Sequence, residues 1–222
     1  MFQYLTEQNK RAVLASSLIL FIANLLPFIA VWKMNWSFYD LLVLYWTEVI
    51  LVGVINIFRM ALINPRESTM GFHLLKIAYV PFFAGHFGLF CVGIGLGLQV
   101  VFGKENFEVG NQILQMLSGI SRMVFWPLVI SHLFSFFWNY VSQREYRRTT
   151  ILKRMVAPYL RTIPLLIFVV AASYACLHFK LPNWGLLALV LGKTLIDLII
   201  HIIFHFRLMN QAEERPIITV RD

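Results

Sequence analysis

Apolar residues come in long blocks along this chain, separated by short polar stretches. About 20 apolar residues suffice for a helix to cross a bilayer. Blocks of that order run over roughly 12–32, 38–60, 71–101, 123–141, 156–178 and 184–207. The pattern predicts an all-α, polytopic membrane protein, a single transmembrane domain over 1–222 built as a bundle of six transmembrane helices. The third block is longer than one crossing, and tilt or a break near Pro81 would absorb the excess. Asn24 and Pro27 predict a local kink in the first helix. Residues 110–122 read as a short amphipathic helix lying along the interface. The first block is too long for a signal h-region and is expected to stay as a helix. The tail after the sixth block is polar.

Composition agrees with the pattern. Of 222 residues, 59% are hydrophobic and 14% charged, where a soluble domain has about a quarter charged. The net charge of +8 does not form a stripe interleaved with aromatics, so nucleic acid is not an expected partner and membrane lipid is. Six crossings put Lys10, Arg11, Arg59, Arg66, Lys76, Arg144, Arg147, Arg148, Lys153, Arg154, Arg161, Arg207, Arg215 and Arg221 on one side. Lys33, Lys104, Arg122 and Lys180 fall on the other, a split of 14 to 4. The positive-inside rule then sets both termini in the cytoplasm, with the chain multi-pass in the cell (cytoplasmic or inner) membrane. The basic stretch 144–161 reads as a topology determinant touching anionic lipid. Cys91 and Cys176 lie inside apolar blocks and read as buried thiols.

Against this background the ionisable groups inside the blocks carry the chemistry. Each costs roughly 2.5–3.5 kcal/mol at membrane depth on insertion scales, so each marks a functional site by default. Lys193, Asp197, His201 and His205 recur at intervals of four and form one drifting stripe on the last helix. Depth singles out Glu48, His86, His132 and Asp197, all near mid-span, with His201 one turn deeper. Helices two, three, four and six would then share one cluster, with one and five outside it. The glycines of the third helix, Gly85 to Gly97, read as packing positions, Gly93 and Gly97 at small-xxx-small spacing.

Two or three neutral imidazoles with one or two carboxylates suit iron, zinc or manganese. The leading expectation is a metal-binding site of Glu48, His86, His132, Asp197 and His201, with Glu48 and Asp197 also catalytic. It would serve metal-dependent chemistry on a small lipophilic substrate. The Asp197/His201 spacing is not the Glu-x-x-His repeat of di-iron bundles, so one metal is expected. Three alternatives stand beside it. A proton-coupled carrier or permease uses the same midplane acids and histidines as a relay, but six helices show no clear inverted repeat and the polar residues do not continue as a path to both surfaces. A b-type haem held by His86 and His201 is less favoured, since haem has no need of Glu48 and Asp197. A metal-free hydrolase would use Glu48 as base. The sequence fixes no oligomeric state.

The ordered motifs YWTE (45–48), PFFAGHFGLF (81–90), SHLFSFFWNY (131–140), APYLR (157–161) and the Lys193-Asp197-His201 stripe give the chain a resemblance to a known group. It resembles a bacterial family of multi-pass membrane proteins classed only as a domain of unknown function. The resemblance implies membership over nearly the whole chain and supplies no reaction. A weaker resemblance is to intramembrane glutamate-type prenyl-protein proteases. Phe82 to His86 fits their FxxxH motif, and Glu48, His86 and His132 come in the right order. The paired glutamates are missing, since Thr47 precedes Glu48. So is HxxxN, since Asn139 lies seven residues after His132.

Overall fold

The computed structural model describes residues 2–34, 38–65, 69–102, 122–178 and 183–213, with side chains described over a narrower range at the segment ends. The described chain is helical, with no strand among the described residues. Six helices follow in order: α1 Phe2–Met34, α2 Phe38–Leu62, α3 Met70–Phe102, α4 Arg122–Ser135, α5 Ile151–His178 and α6 Asn183–Glu213. The wider π-helical turn Phe136–Ser142 extends α4, and the short 3₁₀ turn Glu145–Arg147 leads toward α5. Four stretches are long and apolar enough to cross a membrane: Tyr39–Leu62, Met70–Val100, Met123–Ser142 and Ile151–Ala172. Ser17–Lys33 adds a shorter apolar stretch in α1. The all-α expectation therefore holds. The interfacial helix expected over 110–122 lies almost wholly outside the described residues.

Two expectations about the helices need correction. First, of the two alternatives for the long third helix the break is excluded, since α3 runs through Pro81 as one helix, and tilt is left. Second, α5 starts at Ile151, five residues earlier than the apolar block suggested. Thr150 explains the start. Its Oγ1 accepts the Lys153 backbone N–H at 3.3 Å, the N-cap geometry that satisfies an otherwise orphaned donor. The early start carries Arg161 ten residues into the helix, roughly 15 Å at the α-helical rise. It is therefore no longer a rim residue.

Packing places five of the six helices in a closed circuit: α2 touches α4, α4 touches α1, α1 touches α6, α6 touches α5, and α5 returns to α2. The circuit encloses the main core, which includes Ala23 and Ala30 of α1, Leu41 to Trp46 of α2, Leu128 of α4, Leu165 of α5 and Leu189 of α6. Alanines on α1 let its backbone approach closely. The third helix lies outside the circuit, packed on α2 and lightly on α5. Its anchor is a second cluster in which Phe83, Phe87 and Cys91 meet Val49, Met60 and Ile63.

The glycine expectation for α3 changes accordingly. Gly95 packs tightly: a Cβ there would lie 2.9 Å from the Trp46 ring. Gly85, Gly88, Gly93 and Gly97 have open space around them. They do not mediate packing among the described residues. Trp46 is buried and donates its indole N–H to the Cys91 carbonyl at 2.8 Å, which pins α3 to α2.

Candidate functional site: a buried ring of four charges

The circuit of helices closes on a compact polar cluster. Glu48 of α2, Lys193 and Asp197 of α6, and Arg161 of α5 alternate in sign around a ring. Lys193 Nζ lies 2.5 Å from Glu48 Oε2 and 2.7 Å from Asp197 Oδ2. Arg161 closes the other side, with Nε donating to Asp197 Oδ1 and a terminal N–H donating to Glu48 Oε1, both at 3.0 Å. Each of the four carboxylate oxygens therefore faces one cationic nitrogen. The formal charge of the ring is zero, as burial in a low-dielectric interior demands.

Local structure prepares each member. Lys193 and Asp197 sit one turn apart on α6, so both reach the same level. The Lys193 ammonium has three donors. They face Asn24 Oδ1 on α1, Glu48 and Asp197. The Asn24 amide is oriented for this because its Nδ2 donates to the Leu20 carbonyl at 3.0 Å. The Tyr45 ring lies 5.0 Å from the ammonium, adding a cation–π contact. Thr47 and Thr194 turn their hydroxyls onto carbonyls four residues back, so neither competes for the charges. His132 of α4 completes the cluster, its Nε2 lying 3.0 Å from Glu48 Oε1. An Nε2–H tautomer would donate to the ionised carboxylate.

Lys193 and Asp197 are sealed, and Glu48 and His132 are buried. Arg161 is the most open member, its side chain 21% exposed. A narrow crevice between α2 and α5, wide enough for about one water molecule, reaches the ring at that point, lined by Glu48, Val49, Val52, Arg161, Thr162 and Leu165. The Tyr45 hydroxyl is buried near the cluster without a hydrogen-bond partner.

The sequence-predicted site is partly assembled. Glu48, His132 and Asp197 come together, joined by Lys193. The side chain of His201 lies outside the described residues, as does that of His205. His86 is not bonded to the cluster. It is exposed on α3, where its Nδ1 meets the Tyr159 hydroxyl at 2.5 Å and its ring stacks on Phe82. Its equal depth and the shared Pro-to-His spacing with His132 did not bring the two histidines onto one ring. The expected share of helices is corrected too: α1 and α5 contribute Asn24 and Arg161, and α3 stands outside. Arg161 was assigned to the basic rim because the apolar block starts after it. The Thr149-Thr150 cap ahead of ILKRM was the signal that moves it inward. Asn24 was read as part of a kink.

The donor set does not fit the expected metal centre. Among the described residues no three of His, Cys, Asp and Glu are placed so that they could hold a metal ion. Each carboxylate oxygen is ion-paired with Lys193 or Arg161, Asp197 Oδ2 by charge alone and without a hydrogen bond among the described residues. A divalent cation would have to displace two fixed positive charges, and it would be repelled by both.

Fold and site together define an all-α, membrane-type bundle with a charge-balanced polar hub at its centre. The chain belongs to a family of unknown function, DUF6498, whose profile covers residues 6–215. No curated protein and no solved structure matches it.

Proposed function

We propose that this protein is a proton-coupled membrane carrier of a small anion, with Glu48 as the proton-accepting group. The observation that carries the reading is the closed, neutral ring of Glu48, Lys193, Asp197 and Arg161, touched by a cleft at Glu48 and Arg161. Ionisable groups that pair with one another at membrane depth are the usual parts of proton relays. Protonating Glu48 removes one negative charge and leaves Arg161 and Lys193 facing Asp197 alone. An uncompensated charge in a low-dielectric interior is costly. An anion entering the cleft at Arg161 restores neutrality. Proton and anion thus bind together as a neutral pair, and release of either returns the ring to its closed form. His132, bonded to Glu48, is placed to pass the proton.

Lys193, Arg161 and His132 hold the Glu48 carboxylate at once, so the closed ring disfavours its use as a free base, and proton uptake by Glu48 in the carrier requires the ring to open first. We place both termini on the cytoplasmic side, following the charge asymmetry of the loops.

The test is the accessibility of the cleft. A cysteine at Val52 or Thr162, in a chain whose native thiols are replaced, is labelled with a thiol reagent as pH is varied. Labelling should rise on acidification and should be high at every pH in a Glu48→Gln background. Small carboxylates should carry protons into proteoliposomes holding the wild-type chain, and Glu48→Gln should not support this. Labelling that ignores both pH and Glu48→Gln, with no carboxylate moving protons, would overturn the reading.

A further inference from the structure

At the end of the bundle where α2 finishes and α5 begins lies a second polar cluster that the carrier reading does not use. Arg59 ends α2, and Arg154 lies in the first turn of α5. Tyr140, fully buried in the π-helical turn after α4, stands between them. Its ring lies 5.8 Å from the Arg59 guanidinium and 4.8 Å from that of Arg154. Its hydroxyl donates to the Arg59 carbonyl at 2.5 Å, and Asn56 donates to the Arg154 carbonyl at 2.9 Å, so α2, α4 and α5 are tied together at this level. Arg154 pairs with Glu145.

Two features remain unexplained by that packing. The Nε–H groups of Arg59 and Arg154 are both buried and have no acceptor among the described residues. Among those residues two guanidiniums also share one carboxylate, so the described part of the cluster carries an excess positive charge. Buried donors without partners are rare, and a bound group commonly explains them. The chain bends sharply to make the cluster. Arg144 adopts φ 54°, the left-handed region that non-glycine residues avoid, and this places Glu145 and Tyr146 over Tyr140 and Arg154. Arg144, Arg147 and Arg148 stand exposed around it. As a residue Arg59 is partly exposed, which leaves the cluster an open edge.

We propose that Arg59 and Arg154, with Tyr140 between them, bind a phosphate-type oxyanion. An Nε–H and a terminal N–H of one guanidinium form the planar fork that meets two oxygens of a phosphate. The site lies at helix ends, the level at which the phosphates of an anionic lipid are found. A free phosphate offers the same chemistry, and the experiment separates the two.

The full chain is purified in neutral detergent and its thermal midpoint is followed with phosphatidylglycerol, with phosphatidylcholine, and with sodium phosphate against sodium chloride at matched ionic strength. Phosphatidylglycerol should raise the midpoint by several degrees more than phosphatidylcholine. That difference should vanish in Arg59→Gln and persist in Arg144→Gln, whose side chain lies outside the cluster. Should Arg59→Gln not fold, Arg59→Lys keeps the charge and removes the fork, and should lose at least half of the difference. An Arg59-dependent shift with sodium phosphate alone supports the site and assigns its anion to a soluble source. Equal response of the wild type to all four additions would overturn the proposal. So would a lipid preference that survives both Arg59→Gln and Arg59→Lys unchanged.

Discussion

Helices α2 and α3 look alike in sequence and play opposite parts. Both are long and apolar, and each carries one ionisable group near mid-span, Glu48 in one and His86 in the other. Yet 67% of the apolar window of α2 is buried inside the protein and only 17% of that of α3. The second helix has α3, α4 and α5 around it, and residues 41–49 are buried without interruption. The third helix presents Leu74, Leu75, Ile77, Leu89, Val92 and Leu96 outward. In a membrane the lipid side and the core side of a helix are both apolar, so hydropathy does not say which side faces in. What separates the two helices is the company of their charged groups. Glu48 has Lys193, Arg161 and His132, whereas His86 has one tyrosine hydroxyl.

That contrast can be broken most forcefully at the ring. Asp197→Ala leaves Lys193 and Arg161 short of a counter-charge and should cost about 3–5 kcal/mol. Reversible unfolding in mixed micelles measures it. Replacing Arg161 and Asp197 together by Met and Leu should recover most of that loss, since an apolar pair of similar volume leaves a neutral remainder. If the double change is as damaging as the single one, the ring is not held by charge balance.

Packing gives the next largest effect. Gly95→Leu drives a side chain into Trp46 and should cost roughly 1–3 kcal/mol, whereas Gly88→Leu meets open space and should stay within about 0.5 kcal/mol. Comparable losses at both glycines would mean that the outer face of α3 is also packed. The histidines extend the contrast. His132→Phe strands Glu48 Oε1 without one of its partners and should cost about 1–3 kcal/mol. His86→Phe should be nearly silent in the same unfolding assay, because its neighbours are Tyr159, Phe82 and the surface. The smallest expected effect is at the start of α5. Thr150→Ala removes the cap that sets the depth of Arg161 and should cost about 1 kcal/mol. Faster amide exchange confined to residues 151–154 would show it directly, and unchanged exchange there would remove the cap from the account.

The amino-acid sequence by itself determined the all-α class and the apolar helices, because apolar run length is a local property, although four of the six expected crossings meet the length and hydropathy of a span among the described residues. It also determined that Glu48, His132 and Asp197 are costly where they stand, and the spacing of four that makes Lys193 and Asp197 neighbours on α6. Tertiary structure alone decided which helices form the circuit, since neighbours in a bundle are chosen by side-chain fit between segments far apart in the chain. It therefore put His86 outside, where depth had suggested inside, and brought Arg161 from an apparent rim position to the centre. It turned Asn24 from a suspected kink residue into an acceptor for Lys193. The spacing of four already offered Lys193 as a counter-ion for Asp197, but only the tertiary structure brings Glu48 and Arg161 to the same pair, and charge neutrality at low dielectric then balances both carboxylates with the protein's own cations.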